Sequence, residues 1–259
     1  NNNSVSVEVK SLDGVKTYKG NYLIGADGAN SIVRRQLGID FSGFTYKEKF
    51  LTLSTEEKIE QCFDNLAYVN YVSDPKDWFV LLKAPSAWRV LVPIENKMKD
   101  SEIVSDQNID KVFERVLGTP KKIKTIHRTI YRVHQRVVDK MVHQNIFLIG
   151  DAAHLNNPLG GLGMNSGLHD AWNLSQKLGL IINHGDNKEL LKQFDRQRRS
   201  VMNDFIQRQT IRNKKMIEIL ISRVLKTKLI DNFILTTTIK KEDDIFEKIV
   251  KKIKTTKIV

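Results

Sequence analysis

Residues 150–173 read GDAAHLNNPLGGLGMNSGLHDAWN, and they follow directly on the apolar run NIFLIG at 145–150. Five of the chain's 14 glycines lie in this one stretch. Glycine is costly inside regular structure, and it is kept where φ must be positive or where another group comes close to the backbone. A strand-to-helix turn needs one or two. Gly160, Gly161 and Gly163 fall where the next helix should begin, so they point to a ligand laid against bare main chain rather than to flexibility alone.

A second strand end has the same character. LIGADGANS at 23–31 and LIGDAAH at 148–154 both finish an apolar run in glycine and aspartate. In α/β proteins ligands bind beyond the carboxyl ends of strands, where backbone amides and helix N-termini are free. Two such ends in one chain fit one extended ligand touched twice. Neither is a Walker loop, because no Gly-Lys-Ser/Thr follows.

Around these motifs the chain divides by pattern. Val5, Val7 and Val9 alternate with polar residues, and Asp13–Gly14 supplies a hairpin turn signal. Residues 29–39 read as a short helix, with Asn30 or Ser31 placed to cap it and Gly38 to stop it. From about Lys47 to Glu95 the pattern is all strand. A helix is expected over 106–117, an extended segment over 124–138, and two further helices from about Asn165 and Asn187. His127, Thr129 and Tyr131 alternate with Arg128, Ile130 and Arg132 along that extended segment, which reads as a surface strand rather than a zinc site, with either face bordering substrate as the alternative.

Composition excludes several classes. The 259 residues, 41% hydrophobic, suffice for a substantial core, and the single cysteine, Cys62, rules out an intrachain disulfide framework and suits a reducing, cytoplasmic setting. No apolar run reaches the roughly 20 residues of a membrane-spanning helix. The chain opens without methionine, inside a strand-like alternation, so it is expected to continue something upstream. Most of the net charge of +12 sits in the tail: residues 192–259 hold 18 Lys+Arg against 8 Asp+Glu. There Ile245, Phe246, Ile249, Val250 and Ile253 recur at helical spacing. Helices packed on the body or on a partner are the expectation, with a membrane-surface helix and a nucleic-acid contact as alternatives.

The two motifs carry a resemblance. GADGANSIVRRQLGI resembles the Asp-Gly motif, and GDAAHLNNPLGGLGMNSGLHDAWNLSQKL the Gly-Asp motif, of the single-component FAD-dependent aromatic hydroxylases (group A flavoprotein monooxygenases of the p-hydroxybenzoate hydroxylase type). FDRQRRSV at 194–201 is similar to their arginine-rich segment. The resemblance covers roughly residues 1–215. It implies an α/β, Rossmann-like FAD-binding fold, incomplete at the N-terminus, with an inserted, mostly antiparallel substrate sheet and a helical C-terminus. The expected parts are 1–43 and 139–200 for FAD, 44–138 for substrate, and 201–259 as basic helices.

The same resemblance implies roles. Asp151 would accept hydrogen bonds from the ribityl hydroxyls of FAD, next to Gly150. Gly160, Gly161, Leu162, Gly163, Met164 and Asn165 would set backbone N–H groups against the isoalloxazine, at the positive end of the following helix. Pro158 would shape the place where oxygen adds, as the catalytic-loop residue. Asp27, Gly28 and Arg34 would lie near the pyrophosphates of FAD and of NADH or NADPH, with a solvated helix arginine as the alternative for Arg34. His154 is read as structural rather than as a base. Asn157 stands where the family often has a second proline, leaving the stiffness of the loop open, and Leu162 stands where many relatives have glutamine. The implied reaction is hydroxylation of a small aromatic substrate by molecular oxygen through a flavin hydroperoxide. Another FAD oxidoreductase (an epoxidase or a reductase), or a non-catalytic fragment or split subunit, are the alternatives. The Gly-x-Gly-x-x-Gly turn for the ADP half is absent from these 259 residues, so an upstream segment or chain is expected to carry it.

Overall fold

The computed structural model describes residues 4–63, 66–73, 78–94, 97–185, 187–216 and 233–235. Two compact units divide the chain, Asn1–Lys49 with Tyr131–Leu220, and Phe50–Ile130 with Ile221–Val259. The motifs quoted above all belong to the first.

In that first unit the valine alternation forms strand β1 (Val5–Ser11), antiparallel to β2 (Gly14–Gly20), with Leu12–Asp13 between the paired Ser11 and Gly14. Gly14 takes φ +112°, which a residue with a Cβ rarely adopts. Strand β3 (Leu23–Gly25) then ends at the first motif and leads into helix α1 (Ile32–Gln36). Ser31 caps α1, its hydroxyl accepting from the Arg34 N–H at 2.9 Å, and Gly38 follows its end at φ +63°. Both expectations for this helix hold.

The second motif follows the same plan. A short hairpin of β9 (Val142–His143) and β10 (Ile146–Leu148) brings β10 alongside β3, parallel, with Leu148 beside Gly25. Three-stranded and mostly apolar, this sheet is covered by helices α4 (Leu162–His184) and α5 (Lys188–Ser200). Leu174, Leu178 and Ile181 repeat along one face of α4, and they close with Leu191 and Phe194 of α5 over Phe147 and Leu148. Phe147 and Phe194 are fully buried, and truncating either to alanine costs about 3–5 kcal/mol. Gly25 is needed for fit rather than for φ. A Cβ there would stand 2.9 Å from the Leu148 Cδ2 and 3.1 Å from Val33. After α5 the helix widens into a π turn at Val201–Ile206 and resumes as an α-helix over 207–216.

Strand β4 (Phe41–Thr55) runs from the first unit into the second, where β5 (Val69–Ser73), β6 (Trp78–Lys83) and β7 (Trp88–Ile94) build an antiparallel sheet. Alternation decides its inner face: Leu51, Leu53, Leu81, Val90 and Val92 are buried with Ile109, Val112, Phe113 and Val116 of helix α3 (Asp106–Leu117). A four-residue helix, α2 (Asp100–Ile103), precedes α3, and Gly118 ends α3 in the left-handed region at φ +70°. Strand β8 (His127–Val138) is the expected extended segment, returning the chain to the first unit, where β11 (His154–Leu155) pairs with its end. Strand β12 (Phe233–Leu235) pairs with β5. The apolar repeat from Ile245 to Ile253 lies outside the described residues. Among those described, no helix is long and apolar enough to cross a membrane, and no cluster of residues suits a metal ion.

Candidate functional site

Because β3 and β10 are parallel neighbours in register, their carboxyl ends lie side by side, and the two aspartate–glycine motifs meet at one edge of the sheet. The Ile149 N–H donates to the Gly25 carbonyl at 3.0 Å, and Gly150 then turns the chain away with φ +57°. Arg34 joins the motifs. Its guanidinium, 7% exposed, donates to the Ala152 carbonyl at 2.8 Å and to the Ala29 carbonyl at 2.7 Å, and it lies 3.9 Å from the centre of the Phe41 ring. Its donors thus bind the protein's own main chain at the place where the motifs touch.

Asp27 is placed likewise at the first motif. One carboxylate oxygen accepts from the N–H of Ile32 at 2.7 Å and of Val33 at 3.1 Å, at the start of α1. Burial pushes its pKa up. Hydrogen bonds from Ser31 and from these amides outweigh that and hold it below the usual aspartate value. Gly28 turns at φ +79° and its carbonyl accepts from Ser31.

Asp151 has the opposite character. It is exposed, and its carboxylate has no hydrogen-bond partner among the described residues. The turn that presents it is held from below by a buried ionic cluster. Asp170, fully buried on the inner face of α4, accepts from the Gly150 N–H at 2.9 Å, from His154 Nε2 at 2.6 Å and from Arg198 Nε at 2.6 Å. Burial alone would raise the Asp170 pKa, but His154, Arg198 and the Gly150 amide lower it below the ordinary value. Gly167 lets α4 press on the turn, since a Cβ there would sit 3.3 Å from the Gly150 Cα. His154 is 1% exposed, which suits a structural part.

The loop between Asp151 and α4 ends in two glycines of positive φ, Gly160 at +105° and Gly161 at +66°. Gly161 is the N-cap of α4, and no side chain caps the helix there. The first-turn amides, from Leu162 to Met164, therefore lack intrahelical or side-chain acceptors, and the helix dipole adds positive potential at that end. No acidic side chain stands in this first turn to neutralise it. Pro158 and Met164 are exposed beside it.

An open helix N-terminus, glycines without Cβ and an unpartnered carboxylate on the adjacent turn form a cradle for a flat, electronegative ring carrying a hydroxylated chain. The family comparison names the cofactor. Residues 1–209 match the model of the FAD binding domain family. The chain belongs to that family. The chain is 32% identical over 206 residues to para-nitrophenol 4-monooxygenase of Pseudomonas sp. (strain WBC-3), covering 78% of this chain and 50% of that protein. With 6-hydroxy-3-succinoylpyridine 3-monooxygenase of Pseudomonas putida (strain DSM 28022 / S16) it shares 35% over 189 residues, covering 70% of this chain and 46% of the other. The chain thus spans about half the length of the curated relatives it matches. Its fold superposes on the crystal structure of p-nitrophenol 4-monooxygenase from Pseudomonas putida DLL-E4 with a TM-score of 0.75 and 26% identity, over 87% of this chain and 60% of that one. The α/β fold of the aromatic-hydroxylase type is therefore established.

The cradle fits FAD. A carboxylate with two open oxygens suits adjacent ribityl hydroxyls, which are donors, and free amides at a helix N-terminus suit the electronegative edge of the ring. Asp170 and Arg198 were not singled out from the sequence, although both lie in motifs quoted there. The available signal was an acidic residue, Asp170, between Ser166 and Leu174 on the inward stripe of α4.

Proposed function

We propose that this chain supplies the flavin-ring half of an FAD-dependent monooxygenase that hydroxylates a small aromatic substrate, with NADH or NADPH as reductant. The observation that carries the reading is the uncapped N-terminus of α4 beside the unpartnered Asp151 carboxylate. The names of the relatives, one acting on para-nitrophenol and one on a hydroxypyridine, support an aromatic ring as substrate. Bound FAD supplies the redox chemistry, accepting hydride and activating oxygen. The chain's own residues would bind and orient it: Asp151 would hold the ribityl chain, the Gly160–Asn165 backbone would face the ring, and Pro158 would shape the loop beside it. Asp27 and Gly28 border the phosphates, while Arg34 keeps the two motifs together. The lone cysteine supports a reducing, cytoplasmic setting.

The ADP half is assigned to polypeptide upstream of Asn1, in the same chain or another, carrying the Gly-x-Gly-x-x-Gly turn. Two features support it. Among the described residues β3 is an edge strand, parallel to its one neighbour β10, with Ile24 46% exposed, and α4 presents a second apolar row on the side away from its core, Met164, Leu168 and Trp172, each more than half exposed. A further parallel strand and its crossover helix would cover both.

The test compares residues 1–259 alone with the same chain preceded by the coding segment immediately upstream. Alone, it is expected to purify colourless and to leave NAD(P)H unoxidised; extended, it is expected to hold flavin and oxidise NAD(P)H. In the extended protein Asp151→Ala should weaken FAD retention by about 1.5–3 kcal/mol, the value of a hydrogen bond to a charged group. Stoichiometric flavin in the isolated chain would overturn the two-part reading. Unchanged flavin content after dialysis of the Asp151→Ala protein would remove Asp151 from the site.

A further inference from the structure

The loop that approaches the ring, residues 155–161, is not left to glycine and proline alone. Asn157 is 2% exposed, and every polar group of its side chain is used. Its Oδ1 accepts from the Leu159 N–H at 3.0 Å, and its Nδ2 donates to the Thr210 carbonyl at 2.8 Å and to the Tyr46 hydroxyl at 3.3 Å. Its own N–H donates to Gln135 Oε1 at 3.1 Å. Around it, the helix over 207–216 meets the loop at alternate residues. Gln207 Nε2 donates to the Leu155 carbonyl at 3.1 Å, Thr210 accepts from Asn157, and Asn213 Nδ2 donates to the Leu159 carbonyl at 3.1 Å. Gln135 on β8 locks the arrangement by donating to the Thr210 hydroxyl at 2.8 Å. Gly160 belongs to the same fit, for a Cβ there would stand 2.7 Å from Asn213 Nδ2.

Spacing makes this a splint rather than a set of separate contacts. Positions 207, 210 and 213 lie on one face of a helix at three-residue steps, and they take loop residues 155, 157 and 159, the last of these inside the turn that the Gly161 N–H closes on the Pro158 carbonyl at 3.0 Å. The π turn at Val201–Ile206 sets the face. Arg198, Met202, Ile206 and Thr210 are all buried at four-residue spacing. In an α-helix four residues overshoot a full turn by about 40°, so such a row would drift off the core; the wider i→i+5 turn takes up the excess.

We propose that Asn157, with Gln207, Thr210 and Asn213, forms a positioning set that stiffens residues 155–161 and so fixes where Pro158, Gly160 and Gly161 stand. Hydrogen bonding from the 207–216 helix does here what a second proline would do by restricting φ. The consequence for the flavin ring rests on the function proposed above; the stiffening itself does not.

Amide hydrogen exchange on the full chain, without added flavin, tests the set. In Asn157→Ala and in Asn213→Ala, a peptide spanning 155–163 should exchange at least tenfold faster, while a peptide from 171–181 of α4 stays within twofold of the parent. Asn213 is only partly buried, so that variant tests the idea even if Asn157→Ala does not fold. The double variant should add little to either single one, because both act on the same loop. Loop exchange that stays unchanged in Asn213→Ala, or that rises together with the α4 peptide, overturns the proposal. In the flavin-holding extended protein, the two variants should also shift the visible flavin absorption band. A missing shift with a loosened loop would separate the loop from the ring, and leave the splint standing but without its assigned purpose.

Discussion

At the scale of single residues, the site divides its aspartates by burial. Asp151 is exposed and unpartnered, whereas Asp170 has three hydrogen-bond donors and no exposure. Replacing Asp170 by asparagine would keep its shape but leave Arg198 as a buried charge without its counter-ion. The expected cost is about 3–5 kcal/mol, read from the urea midpoint. The pH dependence follows from the direction of its shift. Asp170 has a folded pKa below its unfolded one, so its stabilisation is fully present above about pH 4 and is lost as pH falls through the folded value. The stability gap between parent and Asp170→Asn should therefore be constant near neutrality and shrink in acid. A gap that widens as pH falls would contradict the ion-pair assignment.

At the scale of elements, glycines do two different jobs that one substitution distinguishes. Gly43 on β4 has φ +141°, and a Cβ there would stand 2.0 Å from the Gln135 carbonyl oxygen and 2.8 Å from the Arg136 Cα, both main-chain atoms of β8. Gly43→Ala has no flexible side chain to displace, so overpacking and backbone strain together should cost about 2–4 kcal/mol. A Cβ at Gly179, inside α4, would meet nothing within 4 Å, and the backbone there does not have a positive φ. Gly179→Ala should stabilise the protein by about 0.5–1 kcal/mol, because the helix no longer carries glycine's backbone entropy. Thermal unfolding of the pair should therefore move in opposite directions. Equal losses would mean that strand proximity at Gly43 is not what matters.

At the scale of the whole molecule, apolar surface is the main observable. Helix α4 packs one row of residues on the sheet and shows another, Met164, Leu168 and Trp172, to solvent. A helix apolar on opposite sides belongs between two layers. Without the covering layer, residues 1–259 should self-associate, and the combined Leu168→Gln and Trp172→Gln changes should lower the sedimentation coefficient distribution towards monomer. Folding should be little affected, since neither side chain belongs to the core. Persistent association in that variant would move the sticky surface elsewhere, to the free edge of β3.

The sequence by itself determined the local chemistry. The glycine pattern, the capping Ser31, the valine alternation of β1 and the long motif from Gly150 to Leu178 were legible because each depends on residues close together in the chain, where backbone geometry and side-chain type suffice. Only the tertiary structure decided how those pieces are held. Arg34 reaches Ala152, 118 positions away, and Asp170 gathers Gly150, His154 and Arg198 from three elements. Asn157, which read as a lost proline, is tied to a helix more than 50 positions further on. Hydrogen bonds of this kind depend on which backbone passes within about 3 Å in space, and a linear pattern carries no record of that distance.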